Sequence, residues 1–423
     1  MVKYQISLEH GAEWIPVGTI TGENSESAVF RYEASYLEAS PAGPISVSLP
    51  LQREAFSAAR TRTFFNGLLP EGFTRRAVAA WMRTDEDDYL GILYGLGREC
   101  LGALRISREG ERPGEAYEAL SMEEVRALAA EGASKSAELV AQSHLSLTGA
   151  TGKAGLYYKA DRDRWYLPVG TAPSTHIVKQ SHIRFQDIVT NEQLSQRTAY
   201  HLGIAVPESF IVNTGRGQED EILFATKRFD RFVRDGGPKV DGLPRPQRLH
   251  QENLAQALGI PSSAKYEADP SQGYMRQMFS LLRRVSANPV EDQLKLWDRI
   301  VFAWLLGNTD AHIKNYSLLY SPDLKGIRLS PAYDMLSTCL YTNSTRTMAF
   351  SIGGEPDIRN VTDDSFRLAA KDAGLGEKLA MARLAEMRER FPGALLAAAG
   401  ELEEAGFQRA GMLAEKIGKK ANW

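Results

Sequence analysis

The sequence predicts an α+β protein whose two lobes enclose a cleft, preceded by a smaller N-terminal subdomain. Three observations carry this expectation: short strand-like runs open the chain, a second β-rich stretch spans about Leu139 to Phe232, and helical patterns dominate after Gly237. A β-rich piece followed by an α-rich piece favours segregated lobes over an alternating α/β sheet. The seam between such lobes is the usual place for a ligand.

Between Val2 and Leu51 the runs KYQISL, WIPVGTI, SAVFRY and PISVSL are separated by Gly, Pro, Asn and Ser, the pattern of a small antiparallel sheet. Helix formers with Gly and Pro stops follow from Arg62 to Leu96, and these segments together read as an N-terminal subdomain over residues 1–110. The charged stretch SREGERPGEAYEA, around residues 107–119, reads as a linker. Residues 120–235 read as a β-rich lobe with the strand-like pieces GLYYKA, RWYLPVG, THIVKQ, SFIVN and ILFATKRF. It holds one helical stretch, TNEQLSQRTAYHLGI, in which Leu194, Thr198, Ala199 and Leu202 share a face. Residues 236–423 read as helices almost throughout. In EDQLKLWDRIVFAWLLGN, Leu294, Trp297, Val301, Trp304 and Leu305 form a wide apolar stripe.

The 43% apolar and 24% charged fractions exclude a disordered or fibrous chain. Fifty basic against 53 acidic residues give a formal charge of −3, which excludes a strongly basic nucleic-acid coat. Cys100 and Cys339 lack metal-ligand spacing and read as small buried hydrophobes, so a reducing cytoplasm is the expected location. No run approaches the ~20 apolar residues of a membrane span, and the N-terminus has no apolar signal core.

The densest polar stretch is GNTDAHIKN, Gly307 to Asn315, at the end of the apolar helix. It contains D-x-x-x-x-N, the spacing with which kinase loops let an Asp accept a substrate hydroxyl's proton while an Asn five residues later holds a metal. Alone, the pattern also suits a helix C-cap and turn. Beyond it, after the strand-like pieces SLLY and IRLS, Asp334 in SPAYDML stands where a kinase places the acid that bridges Mg²⁺ to phosphates. Upstream, Lys179 ends the strand-like STHIVK, the position of a nucleotide-binding lysine. Before it, SLTGATGK is a Gly-containing turn whose amides suit phosphates. It is not a Walker A loop, which would need other residues than Leu147 and Ala154.

In SLTGATGK, STHIVK, ATKRFDR, RLHQENLAQALG, KYE, GNTDAHIKN and SPAYD, and in SLPLQREAFSAARTRTFFNGLLPEG, the sequence resembles the HipA family of serine/threonine kinases, toxins of bacterial type II toxin–antitoxin modules. The resemblance implies a HipA-like, protein-kinase-related fold with a β-rich nucleotide lobe and an all-helical C-terminal lobe. It implies ATP and Mg²⁺, with Asp310 as catalytic base, Asn315 and Asp334 as metal ligands and Lys179 on the nucleotide phosphates. Lys227 and Phe229 fall at the adenine-contacting hinge, while Gln251 and Glu252 border the cleft. Gly149, Ala150, Thr151, Gly152 and Lys153 match a nucleotide-covering loop, and Ser146 aligns with the serine whose autophosphorylation expels that loop. His312 is grouped with the nucleotide-side residues, as a packed histidine that props the catalytic loop.

The partners implied are a small HipB-like helix-turn-helix antitoxin, through which DNA is contacted, and a protein substrate, an aminoacyl-tRNA synthetase, whose phosphorylation arrests growth. The alternative is a kinase-like corepressor that joins an antitoxin on operator DNA; retention of Asp310, Asn315, Asp334 and Lys179 favours the enzyme. A phosphotransferase of the aminoglycoside type would carry His-Gly where this chain has Asn308 and Thr309. The chain departs from the family at GATGK, where many relatives have GAQxK. It departs also at Met335 and Leu336, which stand where kinases have Phe-Gly, and at KYE, which is not followed by Gly-Gly-Pro. The basic cluster Arg228, Arg231, Arg234 and Lys239 reads as a solvated or phosphate-facing rim.

Overall fold

The computed structural model describes residues 2–11, 13–39, 42–111, 113–131, 135–136, 138–140, 152–181, 185–342 and 344–420; Ser146, Gly149, Ala150 and Thr151 lie outside them. Strand β1 (Val2–His10) pairs antiparallel with β2 (Glu13–Gly22), β2 with β3 (Val29–Tyr32), and β4 (Leu104–Ser107) returns to the free edge of β1. Ile6, Leu8, Val17, Ile20 and Phe30 are buried with Phe64, Phe65, Val78 and Leu93 of the helices that follow. PISVSL forms no strand. Ser46 and Leu49 make a single bridge there, and the Ser46 hydroxyl and Val47 amide donate to Glu252, whose carboxylate fixes a turn in place of a ladder.

The second sheet has six antiparallel strands in the order β5-β7-β6-β8-β10-β9. They are β5 (Glu115–Ala119), β6 (Lys153–Lys159), β7 (Arg164–Gly170), β8 (His176–Gln180), β9 (Ser209–Asn213) and β10 (Ile222–Lys227). Strand β5 lies within the stretch read as a linker. Its flanking charges conceal one buried anchor, Tyr117, which packs on Tyr157 and donates to the Pro173 carbonyl at 2.8 Å. Side chains alternate across the sheet. Leu156, Val178 and Leu223 pack on one face with Val125 and Leu128, whereas Lys153, Ile177, Lys179 and Phe224 line the cleft on the other.

The C-terminal lobe is built on helices Tyr274–Val285, Pro289–Leu306, Asp363–Ala373, Glu377–Glu404 and Arg409–Lys420. Four of the five stripe residues, Trp297, Val301, Trp304 and Leu305, are buried in its core. The lobe is not all-helical, contrary to expectation. Gln251–Asn253, Ser317–Tyr320 and Ile327–Leu329 form a three-stranded sheet, and Thr347–Ile352 pairs with Glu355–Asp357. In QENLAQALG the helix begins only at Leu254, because Asn253 caps it: its side chain accepts from the Gln256 amide at 3.0 Å, and Gln256 reciprocates. The apolar core runs unbroken from the N-terminal sheet into this lobe, whereas the six-stranded sheet has a separate core.

The junction between these parts is ionic. Glu99 accepts from Arg228 (3.2 Å) and Arg231 (2.7 Å), Asp230 from Arg228 (2.8 and 2.9 Å), and Glu9 from Arg245 (2.9 Å) and Arg248. Arg228 and Arg231 are therefore buried rather than on a solvated rim; only Arg234 and Lys239 of that cluster are exposed. Asp230 and Glu99 each pair with both buried arginines, and Glu99 comes from the distant N-terminal subdomain. Gly102 sits at φ +72, and a Cβ there would lie 2.7 Å from the Gln251 amide nitrogen, so only glycine allows this approach. Among the described residues no helix is long and apolar enough to cross a membrane.

Candidate active site

Antiparallel register sets Lys153 of β6 directly opposite Lys179 of β8, with Phe224 of β10 opposite Lys179 on its other side. Paired lysines repel each other, and two acids compensate. The Lys179 ammonium donates to Glu192 and to Asp334, each at 2.5 Å. Glu192 lies on the helix Ile188–His201, which packs on the sheet through Val189 against Ile222 and Phe224. The neighbouring Asn191 ties this helix to the chain after Asp334, donating to the Ser337 carbonyl at 2.9 Å and accepting from its amide at 3.0 Å. Asp334 adopts φ +58, a left-handed conformation uncommon for residues other than glycine.

One cation thus serves two carboxylates, and their titrations split. Burial alone would raise Asp334, but Lys179 and then Lys153 outweigh it and hold that carboxyl well below its usual range. Burial dominates at Glu192, which is raised. Burial also lowers Lys153 to about 8, against the pull of Asp334.

The catalytic-type loop starts where Gly307, at φ +72, ends the helix Pro289–Leu306. The Thr309 amide donates to Thr338 Oγ1 (2.8 Å), the Asp310 amide to Asn308 Oδ1 (2.9 Å), and Asn315 Nδ2 to the Asp310 carbonyl (3.0 Å). Asn315 and Asp310 are thereby fixed to each other. The amide oxygen of Asn315 and one carboxylate oxygen of Asp334 have no hydrogen-bond partner among the described residues. As hard oxygen donors they suit a divalent cation such as Mg²⁺. His312 is buried, its ring edge-on to Tyr266 at 5.3 Å, and burial lowers its pKa so that it is neutral.

Glu71, from LLPEG of the N-terminal subdomain, reaches this loop. It pairs with Lys314 and with Lys265 at 2.7 Å. Burial would raise its carboxyl, but Lys314 and Lys265 bring it down to about 2. Tyr266, adjacent to Lys265, donates its hydroxyl to Asp310 at 2.5 Å.

A cleft of about 590 Å³ brings together Lys153, Lys179, Lys227, Phe229, Gln251, Glu252, Asp310, His312, Asn315 and Asp334. Within it, Phe229 packs on Tyr333 at 5.5 Å, Gln251 donates to Asp230 at 2.8 Å, and Lys227 is drawn outward to Glu208 at 3.0 Å. Glu252 is fully enclosed; burial lifts its carboxyl to about 7 despite hydrogen bonds from Ser46, Tyr320 and Val47. Gly152 is buried beside Lys153. Sequence reasoning gave no role to Glu192, Glu71, Lys265, Tyr266 or Lys314, although the last four fall within LLPEG, KYE and GNTDAHIKN, motifs that carry the family resemblance, and Glu192 is an acid on the helix that follows the strand of Lys179.

A strand lysine bonded to a helix glutamate, a D-x-x-x-x-N loop at the foot of a long helix and an acid beyond a hairpin, set around one interlobe cleft, define a two-lobed fold of the kinase type. The HipA-like C-terminal domain matches residues 145–395 and the HipA N-terminal domain residues 12–107. The chain belongs to the HipA kinase family. It is 33% identical over 379 residues to the Y4mE protein of Sinorhizobium fredii, covering 88% of this chain and 86% of that one. It is 28% identical over 366 residues to the serine/threonine-protein kinase toxin HipA of Shewanella oneidensis, covering 83% and 80%. A solved Shewanella oneidensis structure of HipA with HipB and operator DNA superposes with a TM-score of 0.79 at 23% identity, covering 98% of this chain and 96% of that one. The HipA-like α+β fold is thus shared over nearly the whole length, and membership of a kinase family implies use of ATP.

Proposed function

We propose that the protein is an ATP-dependent serine/threonine protein kinase of the HipA type. The observation that carries this reading is Lys179 bonded at once to Glu192 and Asp334, in the cleft that also holds Asp310. Active protein kinases need this lysine–glutamate pair and the metal-binding acid in place together. Lys179 and Lys153 supply positive charge to the nucleotide phosphates, while Lys227 and Phe229 border the adenine end. Asp310 accepts the proton of the acceptor hydroxyl as its oxygen attacks the γ-phosphorus; the bond from that phosphorus to the β–γ bridging oxygen breaks, and ADP leaves. Asn315 and Asp334 would hold Mg²⁺, which would neutralise charge on the β- and γ-phosphates. His312 stays neutral and props the loop.

The family relationship supports the rest of the proposal. The acceptor is a translation component, an aminoacyl-tRNA synthetase, whose phosphorylation arrests growth in the cytoplasm. A HipB-like helix-turn-helix antitoxin neutralises the kinase and carries the DNA contact, as HipB accompanies HipA and operator DNA in the Shewanella oneidensis structure. Phosphorylation of Ser146 would add about two negative charges a few residues before Lys153, disfavouring nucleotide beside it. The test is incubation with labelled ATP, Mg²⁺ and a lysate containing synthetases and tRNA, followed by mass-spectrometric mapping. Phosphate on a synthetase and on Ser146 is the expected result; label on neither, with ATP bound, would contradict it.

A further inference from the structure

Tyr266 stands apart from the other tyrosines around the cleft. The other two that line it, Tyr333 and Tyr341, are half-buried and tied to structural partners: the Tyr333 hydroxyl donates to the Lys314 carbonyl at 2.9 Å, and the Tyr341 hydroxyl accepts from the Asn191 amide at 3.1 Å. Tyr266 is 45% exposed, and the one hydroxyl partner it has among the described residues is the carboxylate of Asp310. Its ring rests edge-on against His312 at 5.3 Å. The Lys265 ammonium lies 5.3 Å from the ring centre and is anchored to Glu71 at 2.7 Å.

A general base must lie within hydrogen-bond reach of the proton that it removes. At Asp310 a phenol already holds one of the two carboxylate oxygens, Oδ1. We infer that Tyr266 occupies the acceptor subsite, its hydroxyl standing where the serine or threonine hydroxyl of a protein substrate binds, so that a substrate enters by displacing it. The inference rests on the kinase reading and adds the location of the acceptor: beside His312, under the segment that Glu71 holds through Lys265. Ring and hydroxyl are half in solvent, so Tyr266 leaves without opening the core. Until it leaves, Asp310 is shared between its phenol and any incoming hydroxyl.

Water is the simplest acceptor with which to read this competition. In ATP hydrolysis the water oxygen attacks the γ-phosphorus, the bond to the β–γ bridging oxygen breaks, ADP departs, and the water proton passes to Asp310. Tyr266→Phe keeps the ring against His312 and removes only the O–H. The experiment follows ADP release from ATP and Mg²⁺ without protein acceptor, in the wild type, Tyr266→Phe and the double variant Tyr266→Phe/Asp310→Asn, with mass spectrometry of residue 266. The expected result is a rise in kcat of about threefold to tenfold, the equivalent of one ordinary hydrogen bond. KM for ATP stays within about twofold, and the gain disappears in the double variant. Measurable hydrolysis that is equal or slower in Tyr266→Phe overturns the inference and leaves the kinase reading standing. Phosphate found on Tyr266 also overturns it, since the residue would then be an acceptor itself. No hydrolysis in the wild type or in Tyr266→Phe, with ATP bound, counts against the kinase reading and takes the inference with it.

Discussion

The junction and the cleft are made from the same kinds of side chain and work in opposite ways. At the junction Glu9, Glu99 and Asp230 face four arginines, and the carbonyls of Cys100, Gly102 and Thr171 take guanidinium donors left over. In the cleft the cations not taken up by that network are lysines; Arg228 lines the cleft but is held by Glu99 and Asp230. Lys153 has no carboxylate within ion-pair distance among the described residues, and Asp334 and Asn315 each keep an oxygen without a partner. The planar fork of arginine suits permanent buried pairs, whereas the ammonium of lysine is a point charge that suits exchange with a phosphate. A closed ionic network fixes the three parts of the chain, and an open one is left for a ligand.

That contrast can be broken by mutation. Arg228→Met leaves Glu99 and Asp230 undercompensated at buried positions, and urea unfolding should show a loss of about 3–5 kcal/mol. Lys153→Met in the cleft should leave stability unchanged or raise it, because burial already disfavours its charge. An equal loss in both variants would erase the distinction.

Glu71, which reaches the cleft lysines Lys265 and Lys314 from the N-terminal subdomain, should show an intermediate effect. Its folded pKa of about 2 lies below the ordinary 4.5, so its ionised form stabilises the fold above about pH 4.5, and this contribution disappears as pH falls through about 2. The stability difference between the wild type and Glu71→Gln should be at most roughly 3 kcal/mol at pH 7 and should shrink between pH 5 and pH 2. A difference independent of pH would show that the ion pairs to Lys265 and Lys314 do not matter.

The smallest effect concerns Lys153. With a pKa of about 8, it loses its charge above that pH. Calorimetric ATP affinity should then fall by up to about tenfold between pH 8 and pH 9, and Lys153→Met should show no such slope over the same range.

What could be read in the sequence was what is local. The D-x-x-x-x-N loop and the alternation that turns Lys179 away from Val178 are fixed within a few residues of chain, and the order of Lys179, Asp310, Asn315 and Asp334 is read directly along the sequence. The apolar face of TNEQLSQRTAYHLGI was equally plain, but Glu192 gained meaning only when that helix packed across β10. Glu71, Glu99 and Tyr266 act on partners 243, 129 and 44 residues away. Nothing in ATKRFDR distinguishes an arginine bound for solvent from one that will meet Glu99, so a buried network was read as an exposed rim. The all-helical expectation failed for a similar reason: Gln251–Asn253 becomes a strand by pairing with Ser317–Tyr320, a partner distant in sequence.

The central claim is that the open cluster transfers phosphate with Asp310 as its base. The most direct measurement is the rate of phosphate transfer from labelled ATP to protein in the wild type and Asp310→Asn, with ATP affinity determined for both. Transfer should fall by about 10²–10⁴-fold in the variant while ATP binding persists; equal transfer by the two proteins would contradict the account.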